Sequence, residues 1–303
     1  MRRHVLLVLL LAACGGDDDG GDGGDNGGGP DACASCDEAD AQPGDGACDA
    51  GRQHARFVVS STDEYGGVNG HYDDRPFPLV DQPEVVAGEC AFFAPESYFC
   101  DPACFGNTIC SASETCVPLP EQIPVGTVHI AGTDPELDLE PDEWNNYRTL
   151  DNYPGLYQPG DLITVSGSGA GDVPAFEMSA RGVPELTVPF EMLSAIEHQD
   201  LTVPWDVAEG SPEGARVVLH MDSDHHGTRA WVECWSDDDG EIVVSSEVLD
   251  PLILAGETGI GTYIENVYMA RVHRGTVDTG TGCAALESEF ILGGVAVETV
   301  RAE

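Results

Sequence analysis

The sequence predicts a mainly-β protein, an antiparallel β-sandwich of Ig-like or related type preceded by a small disulfide-rich module. Three observations carry this expectation. From residue 119 onward, short runs of β-branched and aromatic residues are separated by Gly, Pro and Asp at the spacing of a strand-rich domain. Within these runs apolar and polar residues alternate with period two, and no helical period is sustained. Eight of the ten cysteines that follow Cys14 lie before residue 120, where apolar residues are too few to form a core without covalent staples.

Residues 1–13 read as a signal peptide, with positive charge at Arg2 and Arg3 and an apolar run from Val5 to Ala13 that is too short to span a bilayer. The end of this stretch, Leu11-Ala12-Ala13-Cys14, resembles the lipobox of bacterial lipoproteins. The resemblance implies that the Cys14 thiol is diacylated, that the signal is removed before it, and that the partner of this anchor is a membrane. Gly15, rather than Asp, follows the cysteine, which resembles the pattern of lipoproteins sent on to the outer membrane, on its periplasmic or its surface-exposed side. Gly15 to Pro30 is almost entirely Gly and Asp, so residues 14–30 are expected to form a lipidated, disordered tether.

Residues 31–118 hold Cys33, Cys36, Cys48, Cys90, Cys100, Cys104, Cys110 and Cys116, with one short strand at Arg56–Ser60. In an exported chain thiolates do not stay reduced, so disulfides are favoured over zinc; the spacing does not fix their pairing. The stretch closes on Thr115-Cys116-Val117 and is similar in style to Cys-rich surface lipoproteins of myxobacterial type, a group without an assigned activity.

Residues 119–303 form the expected sandwich domain. Strands are expected at Val125–Ala131, Leu162–Ser166, Ala175–Ala180, Glu185–Val188, Leu201–Trp205, Arg216–Met221, Thr228–Trp235, Glu241–Ser245, Thr262–Arg274 and Phe290–Val300. A single short helix is expected at Ser246–Leu254, limited by Pro251. Cys234 alternates with the apolar set of its strand, and a bridge from Cys234 to Cys283 is expected to close a loop of about 50 residues, worth about 4 kcal/mol in the chain-entropy model.

Few residues point to chemistry. Asp222-x-Asp224-x-His226-Gly227-x5-Glu233 has the spacing of an EF-hand calcium loop, but alternating strands flank it where helices are required, and His226 replaces an oxygen ligand. The expected reading is a hairpin turn. Asp222, Asp224, His226 and Glu233, or Asp222 and Asp224 with the Asp237 to Asp239 turn, are retained as a candidate Ca2+ site, and no other cofactor is expected. The same region, His220 to Asp239, is the place a metal-assisted hydrolase or a Ca2+-dependent adhesin would use. No catalytic residue is assigned: the nucleophile elbow, the P-loop and the helix-borne His-Glu-x-x-His are all missing from the sequence. Trp231 and Trp235 share the outward face of one strand with Glu233 and are the candidate binding residues, for a protein or glycan ligand. A formal charge of -43, with 12 Arg and no Lys, excludes nucleic acid as a partner. The expected function is a non-enzymatic binding or structural role at the cell envelope.

Overall fold

The computed structural model describes Cys48 and residues 51–301, without 63, 80, 95–98, 112, 224–229, 259, 260, 263, 265, 281 and 294. All described residues belong to one compact unit, Glu38–Glu303. The expected signal peptide and tether, with Cys14, Cys33 and Cys36, lie outside them.

The described chain contains 21 strands and one helix. In order these are β1 (Gln53–Ser61), β2 (Gly66–Tyr72), β3 (Val85–Ala87), β4 (Cys90–Phe93), β5 (Thr108–Cys110), β6 (Cys116–Pro118), β7 (Val128–Ala131), β8 (Leu137–Leu139) and β9 (Tyr147–Arg148). Then follow β10 (Leu162–Gly167), β11 (Phe176–Arg181), β12 (Met192–Ile196), β13 (Leu201–Pro204), β14 (Arg216–Asp222), β15 (Trp231–Asp237) and β16 (Glu241–Val244). After α1 (Ser246–Ala255) come β17 (Glu257–Thr258), β18 (Gly261–Thr262), β19 (Asn266–Asp278), β20 (Cys283–Gly293) and β21 (Ala296–Val300).

The main sheet has nine strands in the order β3-β4-β15-β14-β19-β20-β1-β2-β9. Period-two alternation gives it one apolar face, here called inner, because successive side chains leave a strand on opposite sides. Two hydrophobic cores lie on that face. Val217, Leu219 and Met221 of β14, with Val232 and Cys234 of β15, pack under β12, β13, β16 and α1. Phe57 and Val59 of β1, with Leu286 of β20, pack under a four-stranded sheet ordered β11-β10-β7-β8. The mainly-β sandwich expected from the sequence is therefore present. Two of its pairings, β1 with β20 and β12 with β21, are parallel, so the fold is not wholly antiparallel.

The 13-residue β19 runs past both cores. Its inward residues change character along its length: Val267 and Met269 belong to the first core, Val277 packs on the second, and Arg271, His273 and Gly275 lie between. Gly275 is required there, since a Cβ would sit 1.7 Å from the Ser179 carbonyl oxygen of β11. Arg271 is fully buried. Its Nη1 donates to the carbonyls of Pro184 and Glu185, its Nη2 to the Asp206 carbonyl at 2.9 Å, and its Nε lies 2.8 Å from Asp238 Oδ2. Asp238 also accepts from Trp205 Nε1 and Ser211 Oγ. Glu185–Val188, expected as a strand, joins no ladder among the described residues; the Glu185 carbonyl accepts from Arg271 and the Thr187 carbonyl from the Asp206 N–H.

The helix meets its expectation. Ser245 caps it by accepting from the Glu247 N–H, and Val248, Leu249, Leu252 and Ile253 form its buried face.

Two further expectations are corrected. Cys234 and Cys283 are not bonded to each other. Cys234 faces the inner core directly opposite Cys90 of β4 and is bonded to it. Cys283 faces the other side of the sheet, with β14 and β19 intervening, and is bonded to Cys48. The second correction concerns the boundary at 118/119. β1 to β4, from the expected N-terminal module, are members of the main sheet, and both long-range bridges cross the boundary. Of the described strands before residue 119, those that stand apart from the main sheet form the β5–β6 hairpin, stapled by Cys100–Cys110 and Cys104–Cys116.

Candidate functional site

The outer face of the main sheet carries Trp231, Trp235, Asp222 and Glu233 of the candidate residues. Register alone aligns them: Glu233 of β15 is opposite His220 of β14, and His220 is opposite Tyr268 of β19. The imidazole of His220 stacks on the Tyr268 ring, with centroids 4.9 Å apart and planes 18° from parallel. Burial raises the pKa of the Tyr268 phenol, and the neighbouring Glu233 carboxylate adds to the shift.

One row away, Trp231 stacks on Phe93 of β4, with centroids 5.0 Å apart and an interplanar angle of 8°. Trp231 and Trp235 occupy the outer face together, as alternation predicts, but neither stands free. Trp231 is only 7% exposed beneath Phe93, and Trp235 packs on a small apolar cluster of Val218, Ala270 and Val272. The Trp235 Nε1 donates to Glu233 Oε1 at 2.7 Å. The partly exposed ring of the first stack is Phe93, which the sequence reading missed. Its signal was the short run Cys90-Ala91-Phe92-Phe93, whose alternation puts Phe92 in the core and Phe93 outside.

Further across lies an ionic cluster. Glu287 of β20 is 5% exposed and accepts from Arg56 of β1 through Nη2 at 2.6 Å and Nε at 3.0 Å. Arg274 Nε lies 3.6 Å from the other carboxylate oxygen, and its Nη2 donates to Gln53 Oε1 at 2.8 Å. Burial lowers the pKa of Arg274, against the pull of Glu287. Glu289, two residues along the same face, accepts from Ser60 Oγ at 2.8 Å. Burial raises its pKa, while Ser60 and Arg56 oppose the rise. Arg56 and Ser60 hydrogen-bond to these carboxylates, whereas Arg274 Nε is buried without a hydrogen-bond partner and contributes charge only.

Asp222 and Glu233 lie on paired strands, not on the helices of an EF-hand. Asp222 ends β14 and Glu233 lies within β15, so strands flank the loop on both sides; Asp224 and His226 lie outside the described residues. His220 takes up a place between the two carboxylates, with Nε2 3.9 Å from Asp222 Oδ2 and Nδ1 4.0 Å from Glu233 Oε2. The alternative set loses its centre, because Asp238 is buried against Arg271 and Asp237 faces Arg216 at 3.3 Å. Among the described residues, the three side chains whose ligand atoms gather within 4.8 Å are Cys100, Cys104 and Cys116, and all three sulfurs are already in disulfides.

No protein-family model and no curated protein matches the chain. Among solved structures, the FN1–FN3 domains of chicken CNTN1 are matched at 8% identity over 73% of this chain and 67% of that chain, with a TM-score of 0.18. What the fold and the bridges define is a mainly-β, disulfide-bonded protein. No helix among its described residues is long and apolar enough to cross a membrane.

Proposed function

We propose that this chain is a lipid-anchored protein of the cell envelope, held at the outer membrane through Cys14, with a non-enzymatic binding role carried by the outer face of its main sheet. The observation that carries the reading is the pair of long-range bridges, Cys48–Cys283 and Cys90–Cys234, with sequence separations of 235 and 144 residues. Such bridges form and persist in oxidising compartments outside the cytosol. They agree with the export signal and lipobox resemblance of residues 1–14. The stacked pairs Phe93–Trp231 and His220–Tyr268, bordered by Glu233 and Glu289, offer ring faces and carboxylates to a protein or glycan ligand.

The anchor is tested by feeding labelled palmitate to cells expressing the full chain. Label is expected in the wild-type protein and in none of the Cys14→Ala variant; equal labelling of both removes the anchor. The face is tested by Phe93→Ala and Tyr268→Ala in a pull-down of envelope glycans and proteins. Capture that is unchanged in both variants moves the binding role elsewhere.

A further inference from the structure

The β5–β6 hairpin carries a geometry that neither anchoring nor ligand binding uses. Its four cysteines are joined as Cys100–Cys110 and Cys104–Cys116, so both bridges tie the segment before the hairpin to the hairpin itself. The sulfurs of Cys100, Cys104 and Cys116 all lie within 4.8 Å of one another, which brings the two bridges side by side. Cys110 and Cys116 are direct cross-strand partners. Around them, Ser111 N donates to the Thr115 carbonyl and Leu119 N to the Asn107 carbonyl. Antiparallel pairs alternate between hydrogen-bonded and non-hydrogen-bonded, which makes Cys110–Cys116 a non-hydrogen-bonded pair, with Cα atoms about 4.5 Å apart. That separation is within the range a disulfide spans, about 4.4–6.8 Å.

We propose that these four cysteines form a thiol–disulfide exchange site that converts between two complete pairings, Cys100–Cys110 with Cys104–Cys116 and Cys100–Cys104 with Cys110–Cys116. The co-reactant is a thiolate of an external thiol, and Cys116, the exposed member, is where it attacks. Attack on Cys116 Sγ forms a mixed disulfide and releases Cys104 as a thiolate. Cys104 attacks Cys100 Sγ, forming Cys100–Cys104 and releasing the Cys110 thiolate. Cys110 then attacks the mixed disulfide at Cys116, forming the cross-strand bridge and returning the external thiolate. Each step forms one S–S bond and breaks one, so nothing is oxidised or reduced overall. Phe99 and Phe105, 84% and 82% exposed, flank the Cys100–Cys104 segment. In the first pairing they are tied to the hairpin; in the second they are released from it, so the exchange controls how two apolar anchors are displayed.

Chymotryptic cleavage after Phe99 and Phe105 separates the pairings without reduction. In the first, the fragment 100–105 stays joined to the fragment beginning at Gly106. In the second the two fragments come apart, each two hydrogens lighter than its reduced form. The full-length protein is incubated in mixed reduced and oxidised glutathione, once from the oxidised state and once after mild reduction, then quenched with acid and N-ethylmaleimide for mass spectrometry. The separated, internally bridged fragments are expected from both starting points. Joined fragments alone from both starting points overturn the proposal. In a Cys100→Ser/Cys104→Ser variant, Cys110 and Cys116 are expected to oxidise to a bridge, and free thiols at both positions overturn it equally.

Discussion

Removing the Asp238 carboxylate tests whether the buried Arg271–Asp238 pair holds the two cores in one sheet. The Arg271 side chain is 0% exposed and that of Asp238 is 6% exposed, so Asp238→Ala leaves a guanidinium without its counter-charge in a site closed to water. Breaking a buried pair in this way costs about 3–5 kcal/mol. In a chain of this size that corresponds to a fall in melting temperature of roughly 10 °C. Arg271→Met removes the charge itself and also frees the carbonyls of Pro184, Glu185 and Asp206, so it too is destabilising. The double variant is expected to be more stable than the sum of the singles by about 2–3 kcal/mol, since no charge is left stranded. Urea unfolding with disulfides intact measures all four proteins. If the two single effects add to within about 0.5 kcal/mol, the pair is not coupled and does not hold the two cores in one sheet.

Three further outcomes follow from the same structure. Replacing both Cys48 and Cys283 by Ala, with Cys90–Cys234 intact, opens an unfolded-state loop of roughly 90 residues and is expected to cost about 4–5 kcal/mol in urea unfolding; a loss below about 1 kcal/mol would falsify the loop argument. Glu289 has a raised folded-state pKa, so the fold favours its protonated form. Stability is therefore lost as pH rises from the unfolded value, about 4.3, through the folded one, and Glu289→Gln should flatten that decline in the urea midpoint. The His198 pKa is raised by its hydrogen bond to Asp250, Nδ1 to Oδ2 at 2.8 Å, so the stabilising contact is present at low pH and lost as pH rises through the folded value. NMR titration should show the His198 pKa moving down in Asp250→Asn; an unmoved value assigns the shift to another group.

Local features of the fold were legible because they are written in local periodicity. The alternation of Val217, Leu219 and Met221 located β14 and its inner face, and that of Val232 and Cys234 did the same for β15. The helix was visible from Val248, Leu249, Leu252 and Ile253. Partner choice was not legible, since nothing in Gln53–Ser61 states that its neighbour is Cys283–Gly293. Alternation gives Cys234 its face but not its partner, Cys90, because the bridge depends on strand order, which no single strand encodes. The first half of β20 is not legible because Glu287, Ser288 and Glu289 have low strand propensity, and they are accommodated by Arg56, the Arg181 carbonyl and Ser60 from elsewhere in the fold. Arg271 stands in an inward series after Val267 and Met269, a signal present in the sequence but readable only once Asp238 is known to reach it. The candidate site divides in the same way. The shared outer face of Trp231, Glu233 and Trp235 follows from parity, while the Phe93 and Tyr268 stacks depend on neighbouring strands.

The parallel pairing of β1 with β20 also sets a timetable. Phe57 lies beside Leu286, so one flank of an early strand is completed by a segment made about 230 residues later. β1 and β2 can close as a hairpin on their own, but the second edge of β1 stays open until β20 joins it. Throughout that interval the edge is a template for pairing with another molecule, and Cys48 is a thiol waiting for Cys283. Assembly of the main sheet is thus a late event, and a chain stopped before residue 283 would have β19 and β1 without β20, the strand that pairs with both.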